Sequence, residues 1–263
     1  MEEEMTKYEI ITTILSTIAI LVSIGIPLIK WLCNTYIVKA KITFHQIGQA
    51  TLFFNKSGSY IRINGVVESR RKASIIKNVS LTLTRETDGI TKKLSWCYLI
   101  SPVTQTLLGN LLQQAQEGAH PFRVEANSIA CAFIEFGDPY KASDIKIQKI
   151  CTKIDSLITQ LKSKSSFCEA FDALSKQPEY LESKNKVLEN NYWDIGKYTA
   201  NIDIEYNNNE KESFSYEFSL SEQNYEELLC NADEILIIQL KEFYKERLLF
   251  QSPTVELIDK NNK

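Results

Sequence analysis

Residues 75–96, IIKNVSLTLTRETDGITKKLSW, carry the pattern on which the fold turns. Val79, Leu81 and Leu83 occupy every second position, with Ser80, Thr82 and Thr84 between them. A period of two places the three apolar side chains on one face of a β-strand. Asp88-Gly89 then supplies turn chemistry, because glycine reaches the positive φ that tight hairpin turns require. Leu94 and Trp96 resume the alternation on the way back. The stretch predicts a half-buried antiparallel hairpin.

Similar patterns lie on both sides. Residues 41–54 (KITFHQIGQATLFF) read as two short strands broken at Gly48. In SYIRINGVV, Tyr60, Arg62 and Asn64 alternate with Ile61 and Ile63, a strand with one wet face. PFRVEANSIACAFIEF, residues 121–136, reads as two more strands about a tight connection at Ala126-Asn127-Ser128. Many short strands without helices between them predict an antiparallel sandwich or barrel over residues 41–140.

The period then changes to 3.6. Over 143–163, Ile147, Ile150, Cys151, Ile154, Leu157, Ile158 and Leu161 form a stripe too wide for a coiled-coil seam, so a docked helix is expected, with Ser143-Asp144 as its cap. Shorter helical pieces follow, giving a helical block at 141–193. Strand patterns return in YTANIDIEY and SFSYEFSL around Asn207-Asn208-Asn209. Residues 221–250 read as a C-terminal helix with Leu228, Leu229, Ile235, Ile238 and Leu240 inward, and 251–263 as a tail. The fold class is α+β. The helical block is either an insertion within one sandwich, between early strands (41–140) and late ones (194–220), or part of a second, α+β domain.

Asp194-Ile195-Gly196-Lys197-Tyr198 resembles the D-x-G-x-Y that leads into a late strand of immunoglobulin-like domains. The resemblance implies an immunoglobulin-like sandwich whose corner is fixed by a hydrogen bond from the Tyr198 hydroxyl to upstream backbone. Ala200 stands where that family carries a cysteine, so no inter-sheet disulfide is implied. LFFNKSGSYIRINGVVES, with the hairpin and LSW after it, also resembles a set of uncharacterised bacterial membrane-anchored proteins. That resemblance implies a bacterial source and no particular activity.

After a short leader (residues 1–9), no charged residue occurs from Ile10 to Ile29. Twenty residues at 1.5 Å each span roughly 30 Å, the hydrocarbon thickness of a bilayer. The acidic leader (Glu2, Glu3, Glu4) and the absence of a small-residue cleavage site after the run favour an uncleaved anchor over 10–32. Lys30, Lys39 and Lys41 after the run, against Lys7 before it, predict a short N-terminus outside and the bulk in the cytoplasm, and the bacterial source that the resemblance implies makes the membrane the inner one. Trp31 and Tyr36 stand where aromatic residues anchor at the interface. Thr12, Ser16, Ala19 and Ser23, spaced four, three and four apart, line one helix face with small residues that permit helix–helix packing.

Chemistry is sparse. His45 and His120 have no ligands at metal spacing, and no P-loop, G-x-S-x-G, H-E-x-x-H or dinucleotide fingerprint occurs. The six cysteines include no C-x-x-C pair; Cys97, Cys131 and Cys151 fall at apolar positions. A net charge of −3 gives no field that favours nucleic acid. No catalytic residue, cofactor, metal or small-molecule substrate is expected. Arg70-Arg71-Lys72, with Arg85 and Lys92-Lys93, are candidates for anionic headgroups or a partner, although loop and edge-strand charges that discourage strand pairing are the preferred reading. The final helix, with Lys241, Lys245 and Arg247, is a second candidate partner surface. The leading expectation is a non-enzymatic membrane-anchored adaptor whose partner is a protein or a second copy. The rivals are a membrane-acting effector of a bacterial anti-phage defence or toxin system, and an enzyme whose site has no local signature.

Overall fold

A computed structural model of the chain describes residues 7–33, 38–107, 111–138 and 142–260. The order of elements is α1 (Lys7–Leu32), β1 (Lys41–Gln46), β2 (Gln49–Asn55), β3 (Gly58–Ile63), β4 (Gly65–Arg70), β5 (Ser74–Arg85), β6 (Thr91–Leu107), β7 (Leu111–Gly118), β8 (Phe122–Val124), β9 (Ser128–Cys131) and β10 (Phe133–Gly137). Then come α2 (Ala142–Leu161), α3 (Phe167–Ser175), α4 (Pro178–Leu188), β11 (Gly196–Tyr206), β12 (Glu210–Leu220), α5 (Glu222–Leu236), α6 (Ile238–Tyr244), β13 (Thr254–Glu256) and β14 (Ile258–Asp259).

The hairpin β5–β6 lies at the centre of a large antiparallel sheet ordered β13-β2-β3-β10-β6-β5-β11-β12-β14, with β7 on β6 and β8 on β5. Register explains why it is central. Val79, Leu81 and Leu83 stand directly opposite Ile204, Ile202 and Ala200 of β11, and all six are fully buried. Such apolar pairs hold register, since a slip of one residue would turn every one of them to solvent. The sheet curls until β13 at one end packs on β12 at the other, so it is nearly a barrel.

A smaller sheet, β1-β4-β9, lies across this barrel. Ile42, Phe44 and Val67 enter the same core, Phe44 meeting Phe214 and Tyr216 at ring distances of 6.1 and 6.3 Å. Gly65 of β4 is required there, because a Cβ would stand inside the Phe44 ring. The helices pack as one layer: α2 meets α3, α4 and α5, and reaches β3, while α5 also lies on β2. Ile147, Ile154 and Ile158 of α2, Leu174 of α3, Val187 of α4 and Leu228 and Ile235 of α5 are among its buried positions.

The strands within 121–136 depart from the expected pairing. There are three, not two: β8 joins β5, β9 joins β4 and β10 joins β3 and β6. Asn127, at φ 54°, makes the turn between strands that go to different sheets. Helix α2 begins at Ala142, which places Asp144 in its first turn instead of before it. The C-terminal helix is also shorter than its apolar pattern. It is interrupted at Ile237 and ends at Tyr244, where Lys245 takes φ 58°. Residues 254–259, read as tail, supply the edge strands β13 and β14.

Candidate functional site

The apolar helix α1 precedes every other described element. Residues 11–32 of α1 have a mean hydropathy of 2.2 and bury none of themselves against the rest of the protein. By length and composition this helix fits a membrane anchor or a signal sequence. Thr12, Ser16, Ala19 and Ser23 share one of its faces; the Ser23 hydroxyl donates to the Ile20 carbonyl of its own helix (2.9 Å). Pro27 lies one turn further on and removes the N–H that would bond back to Ser23. Tyr36 and the leader Glu2–Glu4 lie outside the described residues.

Val38 stands six residues beyond Leu32, so it lies within about 20 Å of the helix end, and β1 of the smaller sheet follows from Lys41. What gathers at that end is basic. Lys41 pairs with Arg70 across β1 and β4. The turn 70–73 is pinned from beneath: the Ser69 hydroxyl donates to the Lys72 carbonyl (2.6 Å) and meets the Ser74 hydroxyl (2.9 Å). Asn127 Oδ1 accepts from the Arg71 N–H (3.0 Å), and Arg71 holds φ 73°, which turns its side chain to solvent. Lys77 projects from β5 beside this turn, and Arg123 stands opposite Ile75.

The carboxylates at this end are already engaged. Glu68 accepts from Arg70 (2.8 and 3.1 Å) and pairs with His45 (2.9 Å), and these bonds hold its carboxyl down at about 2. Arg123 pairs with Glu125 (2.9 Å) and Lys39 with Glu210 (3.6 Å). Among the described residues no carboxylate lies within ion-pair distance of Lys41, Arg71 or Lys77. Two large apolar side chains stand exposed at this end, Ile75 (48 % exposed), opposite Arg123, and Ile129 (64 %), opposite Glu68. A cavity of about 540 Å³ opens there between Lys39, Lys72, Ile75, Lys77 and Asn207.

The other basic residues do not join this cluster. Arg85 is eleven residues along β5 from Ser74, roughly 35 Å away at strand rise. It is committed to the corner: it pairs with Asp88 (2.5 Å), donates to the Tyr192 carbonyl (3.1 Å) and reaches Asp194 (3.5 Å). Lys92 lies over the Tyr192 ring (5.2 Å), and burial lowers its pKa. Lys241 is not a surface residue either. It is buried and bonded to Glu234, because the interruption at Ile237 turns it inward.

The corner itself is built from Asp194, Gly196 and Tyr198. The Tyr198 hydroxyl accepts from the Asp194 N–H (2.7 Å) and donates to the Asp194 carbonyl (2.8 Å). Its ring is buried and stacked on Phe218 at 4.9 Å, and burial raises its pKa. Gly196 sits at φ 137° with Thr87 so close that a Cβ would collide. Tyr198→Phe keeps the ring and orphans both backbone groups of Asp194. It is expected to cost about 1–3 kcal/mol, read as a lowered urea midpoint with unchanged slope.

His45 and Cys131 flank Val66 in one row across the small sheet, one strand apart, and neither is shown in contact with the other. His45 is with Glu68; the His120 ring meets the Gly118 carbonyl at 2.8 Å. Cys131, placed at an apolar position by its sequence context, is exposed on β9, while Cys97 and Cys151 are half-buried. The sequence signal for Ile75 was available, since two successive isoleucines in a strand cannot both face inward. Lys77 follows two residues after Ile75 on the same strand, whereas Ile129 joins the cluster only through sheet topology.

Neither the known protein-family models nor the curated proteins include a match to this sequence. Among solved structures, the chain is distantly similar to a family 123 glycoside hydrolase from Clostridium perfringens, with a TM-score of 0.29 and 11 % identity over 70 % of this chain and 27 % of that one. It is also similar to Spo0M, a sporulation control protein from Bacillus subtilis, with a TM-score of 0.25 and 9 % identity over 68 % of this chain and 48 % of that one. The chain thus spans about a quarter of the first protein and about half of the second.

Proposed function

We propose that this chain is a non-enzymatic adaptor, held in a bacterial inner membrane by α1, with its β-rich body on the cytoplasmic side. The body rests its basic end on the anionic leaflet and keeps its remaining faces for a protein partner. One observation carries this reading: Lys41, Arg71 and Lys77, with no carboxylate in ion-pair reach among the described residues, stand at the same end as exposed Ile75 and Ile129, the end where the chain arrives from α1. Cations attract the phosphate layer, and isoleucine side chains at the same end enter the headgroup–acyl boundary. The cavity beside Lys39, Lys72 and Lys77 is large enough to admit a phosphorylated headgroup. Lys30, Lys39 and Lys41 support the inward orientation. The D-x-G-x-Y corner supports an immunoglobulin-type reading of the sandwich. Tethering near the surface raises the local concentration of the body, so a modest partner interface suffices.

The intact protein in lipid nanodiscs tests the arrangement. Amides of residues 70–77 and 125–129 should exchange more slowly in discs containing anionic lipid than in wholly zwitterionic discs. Equal exchange in the two, or protection that maps to the Asp88-Gly89 turn, would refute it.

A further inference from the structure

Two cavities, of about 430 and 390 Å³, meet at Ser57 and Asp144 and join into one groove. One wall is the outward face of β3, β10 and β6; the other is α2 with the junction of α5 and α6. Arg62 at the floor donates to Glu135 Oε2 (2.9 Å) and lies over the Phe53 ring at 5.1 Å, while its buried Nε has no hydrogen-bond partner among the described residues. The lining is otherwise rich in carboxylates, with Asp138 and Asp144 in the first cavity, and Asp144 and Asp155 in the second, against one further cation, Lys56. Among the described residues, no cation stands within ion-pair distance of Asp144 or Asp155.

The spacing of these two carboxylates is informative. Eleven residues is almost a whole number of helical turns, so Asp144, Gln148, Cys151 and Asp155 share the face of α2 that lines the groove. The two carboxylates stand about 16 Å apart along the axis. An extended chain covers that distance in about five residues, and because the two cavities share Ser57 and Asp144, a chain seated between Asp155 and Asp144 in the second runs on into the first. Burial raises the Asp155 carboxyl's pKa, as expected of a charge that is only partly solvated and lacks a close cation.

We propose that this groove receives an extended segment of a partner protein, whose lysine or arginine side chains, about five residues apart, reach Asp144 and Asp155. The inference rests on the adaptor reading and names the chemistry of the partner. Its test uses the intact chain in a non-ionic detergent and a fluorescent Gly/Ser peptide carrying two arginines five residues apart. Polarisation should show saturable one-to-one binding. Asp144→Asn with Asp155→Asn should weaken it at least tenfold, since both charges act at once. Glu222→Gln with Glu226→Gln, on the exposed first turns of α5, should leave it within twofold.

Absence of saturable binding, or equal losses in the two double variants, overturns the proposal. Displacement of the peptide by equimolar spermine assigns the groove to a small polyamine and overturns it equally. The Asp→Asn changes remove charges without a close ionic partner, so they leave no buried cation behind. Because the basic end plays no part in this measurement, a chain that binds the peptide but lies off the bilayer would overturn the membrane arrangement alone.

Discussion

Glu234→Gln is expected to unfold the C-terminal half of the helical layer at a markedly lower temperature. Lys241 Nζ is buried and donates to Glu234 Oε1 (2.6 Å), Glu234 Oε2 (2.8 Å) and the Arg247 carbonyl (3.1 Å). The same carboxylate accepts from the Leu249 N–H (3.0 Å), so it also fixes the chain as it leaves α6 for β13. Removing one partner of a buried pair leaves the other charge desolvated, which costs about 3–5 kcal/mol. For a domain of this size that is a fall of roughly 10 °C in the thermal midpoint. Adding Lys241→Met should recover part of the loss, because the double variant buries no ammonium. A loss under about 1 kcal/mol in the single variant would mean that the pair is screened like a surface one, contrary to its burial.

That residue also shows where sequence reasoning stops. The apolar run Ile235–Ile238 is hydrophobic on every face, so a 3.6 period cannot locate a break inside it. Once the helix is interrupted at Ile237, the rotation of everything after it changes, and Lys241 moves from solvent to core. The centre of the barrel was far more legible. Val79, Leu81 and Leu83 announce their face by alternation, and Asp88-Gly89 announces the turn, because both signals lie within one short segment. Partner strands are a different matter. Nothing local to Phe122–Val124 or Ser128–Cys131 says that they belong to different sheets, and Thr254–Glu256 alternates over too few residues to be read at all. The candidate site divides in the same way. Arg70-Arg71-Lys72 is a local run that Ile75 and Lys77 continue on β5; Lys39 and Ile129 come to it from two other places in the chain, through pairing that only the whole sheet decides.

Neutralising Lys41, Arg71 and Lys77 together (Lys41→Gln, Arg71→Asn, Lys77→Gln) is expected to weaken membrane docking of the β-rich body about 100-fold, each basic side chain near an anionic surface being worth about 1 kcal/mol. The measurement is partitioning of a chain that begins at Val38 onto vesicles containing phosphatidylserine. Such a chain keeps its core, because residues 11–32 of α1 bury nothing against it. Ionic strength separates the two forces. Between about 0.1 and 1 M salt the screening length falls from about 10 to 3 Å, which removes most of the charge attraction and leaves apolar insertion intact. The unaltered chain should therefore lose most of its affinity at high salt, and the triple variant should lose little more. Ile75→Ser with Ile129→Ser should behave in the opposite way, starting weaker and keeping the full salt dependence. If instead Arg85→Gln with Lys93→Gln weakens partitioning as much as the triple variant does, the barrel meets the bilayer with its other end, and the arrangement argued from the chain's point of entry is inverted.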